Sequence, residues 1–175
     1  MKFIAHPVCC FCCIVVAGCT GKQVDHEAEI RQIKVDIRRI GEAVWEEDHE
    51  TVLSMTHPIL FQKAGGRVNA RNSLQEMILE YQKLGLKFDS FELVREPEFL
   101  ETESNQYVIV PTRTIVLYKD ERVELYSFQL GAKSKTDSQW KYLDGSKLTQ
   151  DNIRIFFHDF PDDFEFPIVS MNLLY

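Results

Sequence analysis

Residues 107–118, Tyr-Val-Ile-Val-Pro-Thr-Arg-Thr-Ile-Val-Leu-Tyr, limit the fold more than any other part of this chain. They read as one long strand, because β-branched side chains suit a pleated, half-buried surface. Successive side chains of a strand point to opposite faces. Here both parities are apolar, so alternation does not identify which face is concave. Lys119-Asp120-Glu121 is a polar turn, and residues 122–133 return as the second arm of a hairpin. An earlier strand contains Phe88, Phe91, Leu93 and Val94 and ends or kinks at Glu96-Pro97. A further strand over 138–143 follows the Lys135-Thr136-Asp137 turn, and Asp144-Gly145 closes the sheet.

Helices precede these strands. Ile30, Ile33, Ile37, Ile40 and Val44 recur at alternating spacings of three and four, which marks one face of an amphipathic helix over about 26–48. A short helix fits 50–55 and stops near His57-Pro58, since a residue before proline disfavours the α region. A third helix over about 73–84 buries Leu74, Met77, Ile78, Tyr81 and Leu84, and Gly85 is its natural C-terminal cap. A helical turn fits 149–156. Pro161 and Pro167 bracket the acidic-aromatic stretch Asp162-Asp163-Phe164-Glu165-Phe166. The expected architecture is α+β: three N-terminal helices on one side of an antiparallel sheet.

Charge narrows the partners. The 175 residues carry 20 Lys and Arg against 27 Asp and Glu, a net charge of −7. No basic cluster stands out, which argues against nucleic-acid binding and against electrostatic attraction to anionic lipid.

The N-terminus speaks about location. Lys2 is followed by an apolar run and then by Val16-Ala17-Gly18-Cys19, the layout of an export signal. The run is shorter than the roughly 20 apolar residues that cross a bilayer. Cysteine directly after Ala-Gly resembles the lipobox of bacterial lipoproteins. That resemblance implies a diacylglyceryl thioether on Cys19, cleavage before it, and acylation of the new amino terminus. Thr20 in place of Asp implies the periplasmic face of the outer membrane. Cys9, Cys10, Cys12 and Cys13 form interleaved C-x-x-C pairs, but they lie in the apolar run and leave with it. Of five cysteines, only the modified Cys19 remains. The exported domain therefore has no disulfide and no thiolate chemistry. The divisions are a signal at 1–18, a lipidated tether at 19–27, a domain at 28–167 and a tail at 168–175.

The order of several short runs resembles the nuclear transport factor 2-like superfamily, also called SnoaL-like or ketosteroid-isomerase-like. They are His57-Pro58, Gly65-Gly66, Tyr107-Val108-Ile109-Val110-Pro111, Ser127-Phe128-Gln129-Leu130-Gly131, Trp140-Lys141-Tyr142-Leu143-Asp144-Gly145 and Phe160-Pro161. The resemblance implies a cone: a curved, cystatin-like antiparallel sheet wrapped around a long helix, with an end open to a small ligand. It also implies sheets that pair face to face as homodimers. Its members include isomerases, dehydratases, hydrolases and binding modules, so fold alone does not give function.

Enzymes of this group, by the same resemblance, use an Asp or His in the cone with a Tyr. The candidates here are His57 and Asp144, with His158 in a loop. Tyr107, Arg113, Tyr126 and Trp140 are candidate ligand-binding wall residues. Each has a plainer role: His57 as a helix-end cap, Asp144-Gly145 as a turn, and the aromatic residues as sheet core. Arg113 shares parity with Tyr107, Ile109, Ile115 and Leu117. It is either ion-paired at the rim or waiting for an anion. No Ser-His-Asp order, H-E-x-x-H, glycine-rich phosphate loop or calcium loop occurs, and no metal or cofactor is expected. The expected protein is a lipid-anchored, non-catalytic module for a small apolar ligand or a protein partner. An enzyme and a self-association module are the alternatives. Cys19→Ala should move the protein from the membrane to the soluble fraction; a variant that still sediments with membrane as the parent does would refute lipidation at Cys19.

Overall fold

The computed structural model describes residues 26–174. The signal at 1–18, Cys19 and most of the tether lie outside the described residues. Helix α1, His26–Trp45, buries Ile33 and Ile37 completely. It ends where Glu47 turns left-handed at φ 59°, and the Asp48 amide donates back to the Ala43 carbonyl at 2.9 Å. The Asp48 carboxylate then accepts from the Thr51 amide at 3.1 Å and caps α2, His49–Met55. One left-handed residue thus separates two helices that the sequence pattern placed apart by only a few positions.

The expected three helices become four before the first strand. His57-Pro58 does stop α2, but proline at the first helical position also starts a helix, because its missing N–H would be unpaired there anyway. Helix α3, Pro58–Lys63, follows, with His57 extended at φ −65°, ψ 132° as its N-cap. Gly65 and Gly66, both at positive φ, lead into α4, Arg67–Lys83, which begins earlier than the periodicity indicated. Its first turns bury nothing, and Val68 stays 72 % exposed. Gly85 at φ 70° closes α4, with the Leu86 amide donating to the Tyr81 carbonyl at 3.0 Å.

Six antiparallel strands form one sheet: β1 Lys87–Leu93, β2 Glu98–Glu101, β3 Asn105–Tyr118, β4 Glu121–Ser134, β5 Lys141–Asp144 and β6 Ser170–Leu174. Strands β3 and β4 pair along their whole length through a two-residue turn, Lys119-Asp120, with both residues at positive φ. That backbone twist matches the strands it joins. The short strands lie end to end along this hairpin. β1 and then β2 flank β3, while β6 and β5 flank β4. Strand β2 and the C-terminal strand β6 were not apparent in the sequence; each is short, and β6 falls where a tail was expected.

Pro111 sits within the central strand β3, where a missing donor normally breaks a ladder. Its carbonyl accepts from the Val94 amide at 3.0 Å, so its donorless nitrogen points to the β1 side. That is where β1 ends opposite Thr112 and before β2 begins opposite Ile109.

Strand parity divides the core. Val108 and Val110 pack with Ile33 and Ile37 of α1, together with Trp140 and Tyr142. Tyr107 and Ile109 point the other way and pack with Phe128, Leu130, Leu143, Leu148, Ile153, Phe157 and Phe160. Helix α5, Gln150–Ile153, and the chain beyond it therefore cover the face opposite α1, aided by Ile59 and Leu60 of α3. Helices lie on both faces, not one, because both parities of β3 need cover. The close fit shows at Gly131, where an added Cβ would lie 2.6 Å from Val108 and 3.0 Å from Tyr142.

Candidate functional site

Side chains from both clusters pack the central faces of the sheet around Tyr107–Val110. A cavity of about 220 Å³ opens between the end of α1, the last turns of α4 and the start of β1. Val44, Trp45, Ile78, Tyr81, Gln82, Leu86 and Phe88 line it. Ile78, Tyr81 and Gln82 project together because residues three and four apart share a helix face. Short connections bring the rest: Gly85 turns the chain from α4 into β1, which sets Phe88 beside Trp45. The Trp45 indole is stacked on Tyr81 at 5.6 Å and on Phe88 at 5.5 Å, with planes 24° and 25° apart. Gln82 donates to the Glu47 carboxylate at 2.7 Å.

The lining is mixed: aromatic and aliphatic side chains share it with polar atoms. Its titratable group is Tyr81, whose hydroxyl is pushed above its ordinary value by burial, then by the nearby carboxylates of Asp144 and Glu80. The site therefore offers flat aromatic surface and hydrogen-bond donors, suited to holding a small planar molecule.

The residues singled out from sequence lie elsewhere. His57 caps α3: its Nδ1 accepts from the Ile59 amide at 3.3 Å, and its ring meets Phe157 edge-on at 5.0 Å. Burial holds its imidazole below the ordinary histidine value. Asp144 caps the single 3-10 turn Gly145–Lys147, accepting from the Ser146 amide at 2.9 Å and the Ser146 hydroxyl at 2.8 Å. His158 is exposed.

Arg113 lies in an ion-paired row. It bonds to Glu92 on β1 and to Glu124 on β4, and Glu124 is only 7 % exposed. Tyr126 stands opposite Arg113 across the hairpin and is half-buried. Trp140 is on the other face. Its indole N–H donates to Glu29 at 3.0 Å, and the Lys133 ammonium, itself paired with Glu29, sits 4.5 Å above the ring. Beside it the Tyr142 hydroxyl donates to Asp36 at 2.8 Å. None of the four expected wall residues lines the cavity.

Tyr107 belongs to a latch that sequence reasoning missed. Its buried hydroxyl donates to Asp159 at 2.5 Å. Asp159 also accepts from Thr102 at 2.6 Å and from Asn105 at 2.9 and 3.1 Å. Burial opposes ionisation of this carboxyl, but the bonds from Thr102, Tyr107 and Asn105 outweigh it and hold the group below its ordinary range. A charge-assisted set of this kind ties the C-terminal segment to the sheet. Its sequence signal is faint: an Asp flanked by His158 and Phe160 in a loop.

The acidic-aromatic stretch docks on the core, and the chain continues from it into β6. Phe166 stacks on Phe128 at 5.3 Å, and Phe164 meets Phe160 at 5.7 Å. An open groove of about 530 Å³ runs between this stretch and Leu148-Thr149-Gln150. Among the described residues, no group of three or more His, Cys, Asp or Glu is placed to hold a metal ion. No helix among them is long and apolar enough to cross a membrane.

No protein-family model, curated protein or solved structure matches this chain.

The latch makes a pH-dependent prediction. Asp159→Asn should destabilise the domain by about 1–2 kcal/mol near neutral pH, modest because the carboxylate is partly open to solvent. Because the folded carboxyl ionises below its ordinary value, its contribution is complete above about pH 4 and is lost as pH falls through the folded value. Urea unfolding should therefore show the deficit shrinking in acid. A deficit that stays constant from neutral to strongly acid pH would contradict an ionised latch.

Proposed function

We propose that this protein is a lipid-anchored, extracytoplasmic binding module. Its ligand is small, flat and apolar, and its site is the Trp45–Tyr81–Phe88 cavity. The anchor is the lipid on Cys19, and the membrane face is the periplasmic side of the outer membrane. The domain is of the nuclear transport factor 2-like kind, with α1 running across the β3–β4 hairpin and the cavity at the open end. The order of a long helix, shorter helices and an antiparallel sheet supports that assignment.

The cavity carries the proposal. Its volume of about 220 Å³ lies below the roughly 300–1,000 Å³ of drug-sized ligand sites. That favours a single fused aromatic ring system or a short aliphatic chain. Stacking on an already assembled aromatic group costs little ordering, since Trp45 is stacked with both Tyr81 and Phe88 before any ligand arrives. His57 and Asp144 have acceptor atoms engaged with backbone amides, and neither lines the cavity. Both observations favour binding over acid–base chemistry.

Calorimetry with naphthalene as the probe tests this. The parent should give saturable binding at one site. Ile78→Phe, which fills the cavity from α4, should weaken binding by about tenfold or more, the loss of at least 1.4 kcal/mol. Equal affinity in a folded Ile78→Phe variant, or no saturable heat with the parent, would rule the cavity out as the site.

A further inference from the structure

The sheet has open edges, and natural proteins protect such edges with charge, irregularity or cover, because unpaired backbone groups template pairing with another chain. Three of the four edge strands here follow that rule. β1 carries Lys87, Asp89 and Glu92 and has an irregular register between Phe88 and Ser90. β2 is bounded by Glu98 and Glu101. β5 is covered, with Thr56 bridging to Tyr142 and the His57 amide donating to the Tyr142 carbonyl at 2.9 Å.

β6 has none of these devices. Its residues are Ser-Met-Asn-Leu-Leu, without charge or proline, and it pairs with β4 in unbroken register from Ser170 opposite Tyr126 to Leu174 opposite Arg122. Among the described residues its outer edge has no strand beside it. Met171 and Leu173 lie on one face and are 72 % and 47 % exposed. Ile168 and Val169, which lead into the strand, are exposed too.

We propose that β6 is the contact between two copies of this chain, joined edge to edge about a two-fold axis through Asn172, in place of the face-to-face pairing that the family resemblance implies. The strand is complementary to itself in that arrangement. Antiparallel pairing centred on Asn172 sets Met171 opposite the second copy's Leu173 and Leu173 opposite its Met171. Opposed residues in an antiparallel pair share a face, so four apolar side chains form one row. Asn172 meets its own copy on the other face, where two amides hydrogen-bond. A two-fold axis uses the same patch on both copies, which closes the assembly at two. Charge points the same way. Each chain carries −7, so most surfaces repel a second copy, whereas residues 168–175 carry no charged side chain. The charged β4 residues behind β6 are already paired, Glu124 with Arg113 and Arg122 with Asp89. The joined sheet runs without a break from β1 of one copy to β1 of the other. This contact is independent of the ligand cavity, which lies beyond α1 and β1.

Cysteine cross-linking in the full-length, membrane-anchored protein tests both the contact and its register. Paired Cα atoms in antiparallel strands are about 4.5–5.5 Å apart, within disulfide reach. Asn172→Cys should therefore form a covalent dimer on mild oxidation. In the same register the two copies of residue 170 lie about 14 Å apart along the strand, so Ser170→Cys should give about tenfold less dimer. Any background from other cysteines is common to both variants. In detergent, light scattering should give the mass of two chains for the parent and one for Leu173→Lys. Four results would each overturn the proposal: equal cross-linking at 170 and 172, a monomeric parent, a dimer that survives Leu173→Lys, or an Asn172→Cys variant that captures a different protein without forming homodimer.

Discussion

From Asn105 opposite Ser134 to Tyr118 opposite Glu121, every residue of β3 has a partner on β4. This hairpin is the physical basis of the whole domain. Its outer flanks are long enough for two short strands each, which is why six strands make a sheet only four wide. Its two faces are both apolar around Tyr107–Val110 and Phe128–Leu130, so neither can be left to water. α1 supplies one cover through Ile33 and Ile37. The segment from Leu148 to Phe166 supplies the other, and the Asp159 latch fixes its position.

Filling both faces has a functional consequence. Trp140, Tyr142 and α1 pack against one side of the sheet and Phe157 and Phe160 against the other, and the Trp45 cavity lies away from both clusters. It opens where α1 runs out and α4 turns into β1. There the side chains are large, flat and few, and their rings stack on one another without filling the volume. Ionisable groups against the sheet are engaged as well: Glu29 and Asp36 of α1, Glu124 of β4 and Asp159 of the C-terminal segment each take a donor from a neighbouring element. They hold elements together.

Much of this was legible in the residues. The isoleucine spacing of α1, the β-branched run of β3, the polar hairpin turn and the Gly85 cap each follow from local chemistry, and each is present. The plain roles of His57 as a cap and Asp144 as a turn residue were also visible, and Arg113 proved to be ion-paired. What sequence could not supply was tertiary. Pro58 marks the stop of α2 and is also the start of α3. β2 and β6 are too short to show alternation and exist because the hairpin offers them an edge. Tyr107 and Trp140 share a strand-rich sequence but face opposite ways, so aromatic content could not group them. The cavity residues come from the end of α1 and from the consecutive elements α4 and β1, and nothing local marks Trp45 as a neighbour of Tyr81 and Phe88.

The proposed site at the α1–α4–β1 junction has a direct spectroscopic consequence. The two tryptophans report on separate places, Trp45 within the aromatic group and Trp140 bonded to Glu29. Titrating naphthalene into nitrogen-15-labelled protein while observing the two indole N–H resonances decides between them. Binding in the cavity predicts a saturable shift at Trp45 with Trp140 unmoved. A shift at Trp140, or at neither indole, would contradict it.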